Sequence, residues 1–175
     1  QFAGLIGLGF DGGAQPDDAA KLHEMLIDPA VHAPIYTLPQ PLTEASVKAF
    51  IERHLEERQR GEGLLFLNLN AEGELAGYTD LQIWPEWAAG ELGGAVHPNR
   101  PGARRGVLGA QLGFAWMFEA LRLELLCETA ALDNDRTAKL LDYLGLERMG
   151  QTESTKPDGT KRASLVWEIS RDNWL

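Results

Sequence analysis

Between Asp133 and Leu146 the chain reads DNDRTAKLLDYLGL, and this segment constrains the fold more than any other. Asp133 or Asn134 offers a side-chain oxygen to the free amides of a first helical turn. Ala138, Leu140, Leu141 and Leu144 then recur on or near one face, and Gly145 supplies a left-handed residue at the helix end. The preceding LELLCETAAL is strand-like, so the asparagine falls where a strand ends and a helix begins. In α/β proteins that edge is where ligands bind.

The length of 175 residues suits one domain spanning 1–175, with one sizeable core. Hydrophobic residues at 44% and charged residues at 24% match an ordinary soluble protein, and no apolar run is long enough to cross a bilayer. The opening QFAGLIGLGF lacks the basic flank and cleavage site of a secretory signal and reads as the first strand of a trimmed chain. The single cysteine, Cys127, permits no internal disulfide and sits in an apolar strand, which points to a reducing cytoplasm and to packing rather than nucleophilic duty. A net charge of −10 argues against nucleic acid as a partner, since only Arg100, Arg104 and Arg105 cluster. The same charge would draw in a cationic acceptor.

QPDD followed by AAKLHEML reads as a short helix with an acidic cap, after which Pro29, Pro34, Pro39 and Pro41 break regular structure to about residue 42. A second helix starts at Thr43, with Leu42 and Val47 placed as a hydrophobic staple and a core face of Val47, Phe50, Ile51, His54 and Leu55. LLFLNLN, the AEGE turn and LAGYTDLQIW form an antiparallel pair, and ELGGAVH adds a third strand after a loop holding Pro85, Trp87 and Gly90. A helix apolar nearly all round runs from Gly106 to about Leu121, and residues 123–131 form a strand before the Asn134 helix. KPDGTK is a tight turn, so residues 147–154 and 163–170 should close the chain as a hairpin.

ELGGAVHPNRPGARRGVLGA joins a strand to a helix through a loop rich in glycine and arginine. Free amides and positive charge at a helix N-terminus suit a pyrophosphate. Asn134, with a small residue three positions on and a closing Leu-Gly-hydrophobic, resembles the last conserved block of the GNAT acetyltransferase superfamily, most closely its Rim-type branch. That resemblance covers nearly the whole chain, including the ending SLVWEISRDNW. It implies a mixed, mostly antiparallel sheet flanked by helices, an α/β (α+β) domain in which two strands splay to form an acyl-CoA cleft.

The resemblance also implies the ligands and their residues. Acetyl-CoA would be the co-substrate, with no metal. Arg104, Arg105, Gly106, Val107, Leu108 and Gly109 would hold its pyrophosphate. Gly106 fits the first glycine of the family pattern, Ala103 stands where Gln or Arg is usual, and Leu108 fills the second small position, where its side chain obstructs the diphosphate unless it points into the core. Backbone groups of Ala95, Val96 and His97 would bind the pantetheine arm, as a sheet edge accepts an added strand, and Asn134 would be a cofactor-side contact. A neutral amine would then attack the thioester directly.

Many members carry a tyrosine seven residues after that asparagine as general acid; here the position is Leu141, and Tyr143 should face elsewhere because two residues turn a helix by roughly 200°. For the base, Glu91 leads, at the start of the ELG strand, followed by Glu128 and His97. Tyr36, Trp84 and Trp87 could wall the amine pocket, with Glu86 attracting a cation. His23, His32 and His54 lack metal-ligand spacing. The acceptor would be a protein N-terminus or a small amine, with no membrane partner, and exposed Trp residues at the mouth could pack across a homodimer. Two rival readings are an acyl-CoA-binding sensor with little transferase activity and a nucleotide-binding α/β protein, though the latter lacks a phosphate-loop lysine and a dinucleotide glycine fingerprint.

Overall fold

A computed structural model describes residues 13–99 and 103–174, without the side chains of residues 103–105. The strand expected over residues 1–10 lies outside the described residues; Gly13 makes an isolated antiparallel bridge to Phe66. From there a 3-10 turn at Pro16–Asp18 leads into helix α1 (Ala19–Leu26). A short helix α2 (Pro29–His32) follows, where the prolines were expected to exclude regular structure. Pro29 occupies the first turn, in which no amide is needed, and the Asp28 side chain caps it by accepting from the Ala30 amide.

Helix α3 (Glu44–Arg60) starts at the Thr43 cap, whose partner in a reciprocal capping box is Ser46. It ends at Gly61, in the left-handed region at φ 74°. Strands β1 (Gly63–Leu69), β2 (Leu75–Trp84) and β3 (Ala89–Val96) follow as an antiparallel run. Helix α4 (Ala103–Glu119) returns the chain to β4 (Leu125–Ala131), and α5 (Asp135–Tyr143) leads to the hairpin β5 (Glu147–Thr155) and β6 (Lys161–Ser170). A last turn, α6 (Arg171–Trp174), packs Trp174 edge-on to Phe114.

The described strands form one sheet of six in the order β1-β2-β3-β4-β6-β5. All pairs are antiparallel except β3 with β4. Two cores explain the sequence patterns. Leu64 and Phe66 of β1 point into a cluster with Phe114, Met117, Phe118, Leu126, Leu141 and Trp167 under α4 and α5. Leu65 and Leu67 point the other way, into a cluster with Leu22, Leu26, Val47, Phe50 and Ile51 from α1 and α3. Side chains alternate along a strand, so a strand covered on both faces must be apolar at every position, and LLFL is. The described residues thus form a mixed α/β layer structure whose sheet opens at one of its strand pairs.

Candidate active site

That place is where β3 and β4 part. They pair in parallel at Ala89–Leu125 and Gly90–Leu126, after which β3 continues along β2 to Val96 and β4 along β6 to Ala131. Glu91 and Leu92 are the first residues beyond the last pair. Two side chains span the opening gap. Glu128 Oε1 accepts from the Leu92 amide at 2.7 Å, and Thr129 Oγ1 donates to Glu91 Oε1 at 2.7 Å. The Tyr36 hydroxyl donates to Glu91 Oε2 at 3.1 Å.

Glu91 is therefore not the solvated residue at a strand start that its sequence position suggests. It lies inside β3, 8% exposed. Burial raises its pKa, Thr129 and Tyr36 pull it partly back, and the charge of Asp80 adds to the rise. Glu128 is buried deeper, and its pKa is pushed well above the ordinary 4.5 by burial first and by Glu91 second, against the Leu92 amide. The geometry separates the two: Glu91 faces Tyr36 and Thr129, while Glu128 holds the backbone of β3. Burial likewise lifts the Cys127 thiol to about 12, which keeps it protonated. Tyr36 is pushed upward by burial and by Glu91, and so remains a donor.

Three contiguous cavities meet at this gap. The central one is walled by Tyr36, Glu91, Glu128, Thr129 and Asn134. On the α4 side it shares Leu92, Gly94 and Asn134 with a cavity reaching Val96, Gly106 and Gly109. On the α3 side it shares Tyr36, Thr37, Asp80 and Gln82 with a cavity reaching His54, Glu57, Trp84 and Glu86. The passage runs from the start of α4 to the β5–β6 turn.

The cofactor-side expectations divide sharply. Gly106, Gly109 and Ala110 recur at helical spacing on the cavity-facing side of α4. A Cβ built at Gly106 or Gly109 meets nothing within 4 Å, so the groove above this face is open. Leu108 neither points into the core nor lines the groove. It is 54% exposed, and Gly109 takes the small position it was expected to fill. Val107 is half-buried and also off the groove. Arg104 and Arg105 lie in the first turn of α4, with side chains outside the described residues, as Arg100 is altogether.

The backbone of β3 needs a correction too. The His97 amide donates to Ala76 O at 2.8 Å, toward β2. Amides alternate in an antiparallel ladder, so the backbone of Ala95 also faces β2, while Leu92, Gly94 and Val96 face the gap. Leu92 is taken by Glu128, which leaves Gly94 and Val96 as the edge. Gly94, at φ 127°, must be glycine because a Cβ would collide with the Tyr78 carbonyl oxygen. His97 itself is a turn residue, its Nδ1 accepting from the Asn99 amide at 3.3 Å.

Asn134 caps α5, its Oδ1 accepting from the Thr137 amide at 3.1 Å, and it lines both the central and the cofactor-side cavities. Leu141 is buried beneath it, and Tyr143 is 74% exposed and turned away. On the acceptor side Tyr36, Trp84 and Glu86 line the passage, whereas Trp87 is 70% exposed and outside its wall. Three contributors escaped the sequence. Arg162 of β6 stacks 4.7 Å over the Tyr36 ring and donates to Pro34 O at 2.8 Å, pinning the α2–α3 connection. Thr129 and Asp80 are polar residues within apolar strands, a signal available in LAGYTDLQIW and LLCETAA. No cluster of three His, Cys, Asp or Glu side chains that could hold a metal ion occurs among the described residues. Among them, no helix is long and apolar enough to cross a membrane.

Comparison with known proteins gives the same outline. A family model described as Acetyltransferase (GNAT) domain matches residues 13–147. No curated protein matches the chain significantly. Among solved structures, ribosomal-protein-S5-alanine acetyltransferase from Vibrio fischeri is similar at 17% identity, over 94% of this chain and 93% of that one, with TM-score 0.74. RimJ of Mycobacterium smegmatis, in complex with CoA-disulfide, is similar at 18% identity over 91% and 80%, with TM-score 0.75. A spermidine N-acetyltransferase SpeG chimera from Vibrio cholerae and hSSAT is similar at 16% identity over 93% and 95%, with TM-score 0.75. These three likenesses concern the fold.

Proposed function

The chain belongs to the GNAT acetyltransferase family and is by class an acetyl-CoA-dependent acetyltransferase, and we propose that it acetylates a primary amine in the gap between β3 and β4, with Glu91 as general base. The observation that carries this reading is that a cofactor-side groove and an acceptor-side cavity each share wall residues with a central cavity lined by Glu91. Acetyl-CoA enters from the α4 side, its diphosphate over the open face of Gly106 and Gly109 and its pantetheine arm along the free edge at Gly94 and Val96. The acceptor enters from the α3 side.

An amine at neutral pH is an ammonium and must lose a proton before it can attack. A carboxylate with a raised pKa is matched to that task, and Glu91 is held in place by Thr129 and Tyr36. The amine nitrogen then bonds to the acetyl carbon, the carbon–sulfur bond breaks, and CoA leaves as a thiolate. As the amide forms its nitrogen sheds a second proton, and with Leu141 in the position of the usual tyrosine that proton reaches the thiolate through water. Holding both substrates in one passage supplies the positional part of the rate.

The acceptor is a protein N-terminus or a small amine. Glu57, Glu86 and Asp80 along the entry favour a cation, and the net charge of −10 draws one in. Two of the similar structures are acetyltransferases of a ribosomal-protein alanine and of spermidine, acceptors of this kind. Release of CoA on mixing the protein with acetyl-CoA and a panel of peptides, alkylamines and polyamines tests the proposal. Tight CoA binding with no release across the panel would favour the acyl-CoA sensor instead. We also propose a homodimer packed through Trp87, to be checked by light scattering of wild type and W87A, and a reducing cytoplasm as the setting for the unpaired Cys127.

A further inference from the structure

His54, Asp80, Thr37 and Glu57 form a polar cluster on the acceptor side whose internal contacts none of these steps uses. His54 is 5% exposed and held at both ring nitrogens. Nδ1 lies 2.9 Å from the Phe50 carbonyl oxygen, one turn back along α3, and Nε2 lies 2.9 Å from Asp80 Oδ1. A carbonyl oxygen only accepts, and so does an ionised carboxylate. A neutral histidine has one N–H and would turn a lone pair toward one of them. Both contacts are satisfied when the ring carries both protons and faces the Asp80 carboxylate as an imidazolium. Burial opposes that charge, and the hydrogen bond and charge of Asp80 outweigh it, helped by Phe50 O and by Glu57 at 3.7 Å.

Asp80 has a second side. Though 3% exposed, it lines both the central and the acceptor-side cavities. Its cross-strand partner is Gly93, so no side chain fills the space opposite, and Glu91 is its diagonal neighbour on β3. Oδ2 accepts from Thr37 Oγ1 at 3.4 Å, a long contact that leaves acceptor capacity toward the passage. The other charged or titratable groups around the cluster are Arg53 on α3, Tyr36 on the α2–α3 connection, Tyr78 on β2 and Glu91 on β3, with Glu62, Glu86 and Lys156 also lining the acceptor-side cavity.

We infer that Asp80, held on one side by the His54 ring and open to the passage on the other, receives the acceptor's ammonium there and positions its nitrogen beside Glu91. Asp80 would bind the substrate and His54 would act through it as a positioning residue. The inference rests on the acetyltransferase reading, because it assigns the order of events on the acceptor side. Asp80 holds the cation, Glu91 removes the proton, and the neutral amine then faces the thioester.

The test has a binding arm that needs no turnover. Ring nitrogen NMR of His54 is followed at pH 7.5 without acetyl-CoA while butylamine, 1,4-diaminobutane, spermidine or an Ala-Ala peptide amide is added, with butanol as the uncharged comparison. The expected result is a doubly protonated ring whose signals move with at least one amine and not with butanol, and a response abolished in D80N. A singly protonated ring, no response to any amine, or a response that survives in D80N overturns the inference. In the kinetic arm, H54Q keeps a donor to Asp80 but loses the charge. It should raise the acceptor KM about tenfold, the size of a lost charge-assisted contact, while the acetyl-CoA KM stays within about twofold. An unchanged acceptor KM in H54Q overturns the proposal even if D80N does not fold. Failure of the wild type to release CoA counts against the acetyltransferase reading alone, since the NMR arm reads the ammonium site directly.

Discussion

Glu128 Oε1 takes the Leu92 amide at 2.7 Å at the point where β4 can no longer reach β3. Parting two strands orphans backbone donors on both edges, and a buried orphan costs about as much as a lost hydrogen bond. Glu128 meets that demand from within the sheet while Thr129, its neighbour on the opposite face, ties Glu91. The opening is thus a built feature whose two crossing bonds also set up the acid–base residue.

Glu128 should be a liability at high pH. Its folded pKa lies above the unfolded value, so the native state holds the proton more tightly. The associated stability is complete below about pH 4.5 and is lost as pH rises through the folded pKa. E128Q keeps an acceptor for the Leu92 amide and removes the charge. It should be more stable than wild type by an amount growing about 1.4 kcal/mol per pH unit above 4.5 until the folded pKa is reached. Urea melts at pH 5, 7 and 9 check this, and a difference independent of pH would contradict it.

E91Q should lower kcat by about a hundredfold or more, the range for removing a general base. Its circular dichroism and affinity for CoA should match wild type. A fall confined to the acceptor KM would reassign Glu91 to binding.

Y36F should shift the acid limb of kcat/KM upward, because the Tyr36 hydroxyl lowers the Glu91 pKa and its loss leaves burial less opposed. A pH–rate profile compared with wild type reads the shift, and a downward move would show that the hydroxyl does not serve Glu91.

At Gly109 stability and binding should part company. A helix-interior glycine replaced by alanine gains up to about 1 kcal/mol, and no atom stands in the way. G109L should keep most of that gain in thermal melts yet raise the acetyl-CoA KM, since its side chain enters the groove. An unchanged KM would move the diphosphate off this face.

N134A should cost about 1 kcal/mol through loss of the α5 cap, and N134D should restore it. If the acetyl-CoA KM of N134D still rises while its stability matches wild type, Asn134 has a cofactor role beyond capping.

Local physics makes several elements legible in the residues themselves. The cap at Asn134, the left-handed Gly145, the LLFL run of a doubly covered strand and the KPDGTK turn each follow from a few adjacent residues. Periodicity also places Tyr143 off the functional face, and a shared helical phase puts Gly109 rather than Leu108 over the groove. The burial of Glu91 is not legible in this way, nor is the turning of the Ala95 and His97 amides toward β2. The pairing of His54 with Asp80 joins residues 26 positions apart, and that of Arg162 with Pro34 joins residues 128 apart. Capping, turn chemistry and alternation act within a few residues, and so the elements and the family of the chain are written in its sequence. Which carboxylate is desolvated, and which donor reaches it, depends on where two strands separate, and that point is set by the packing of the whole sheet.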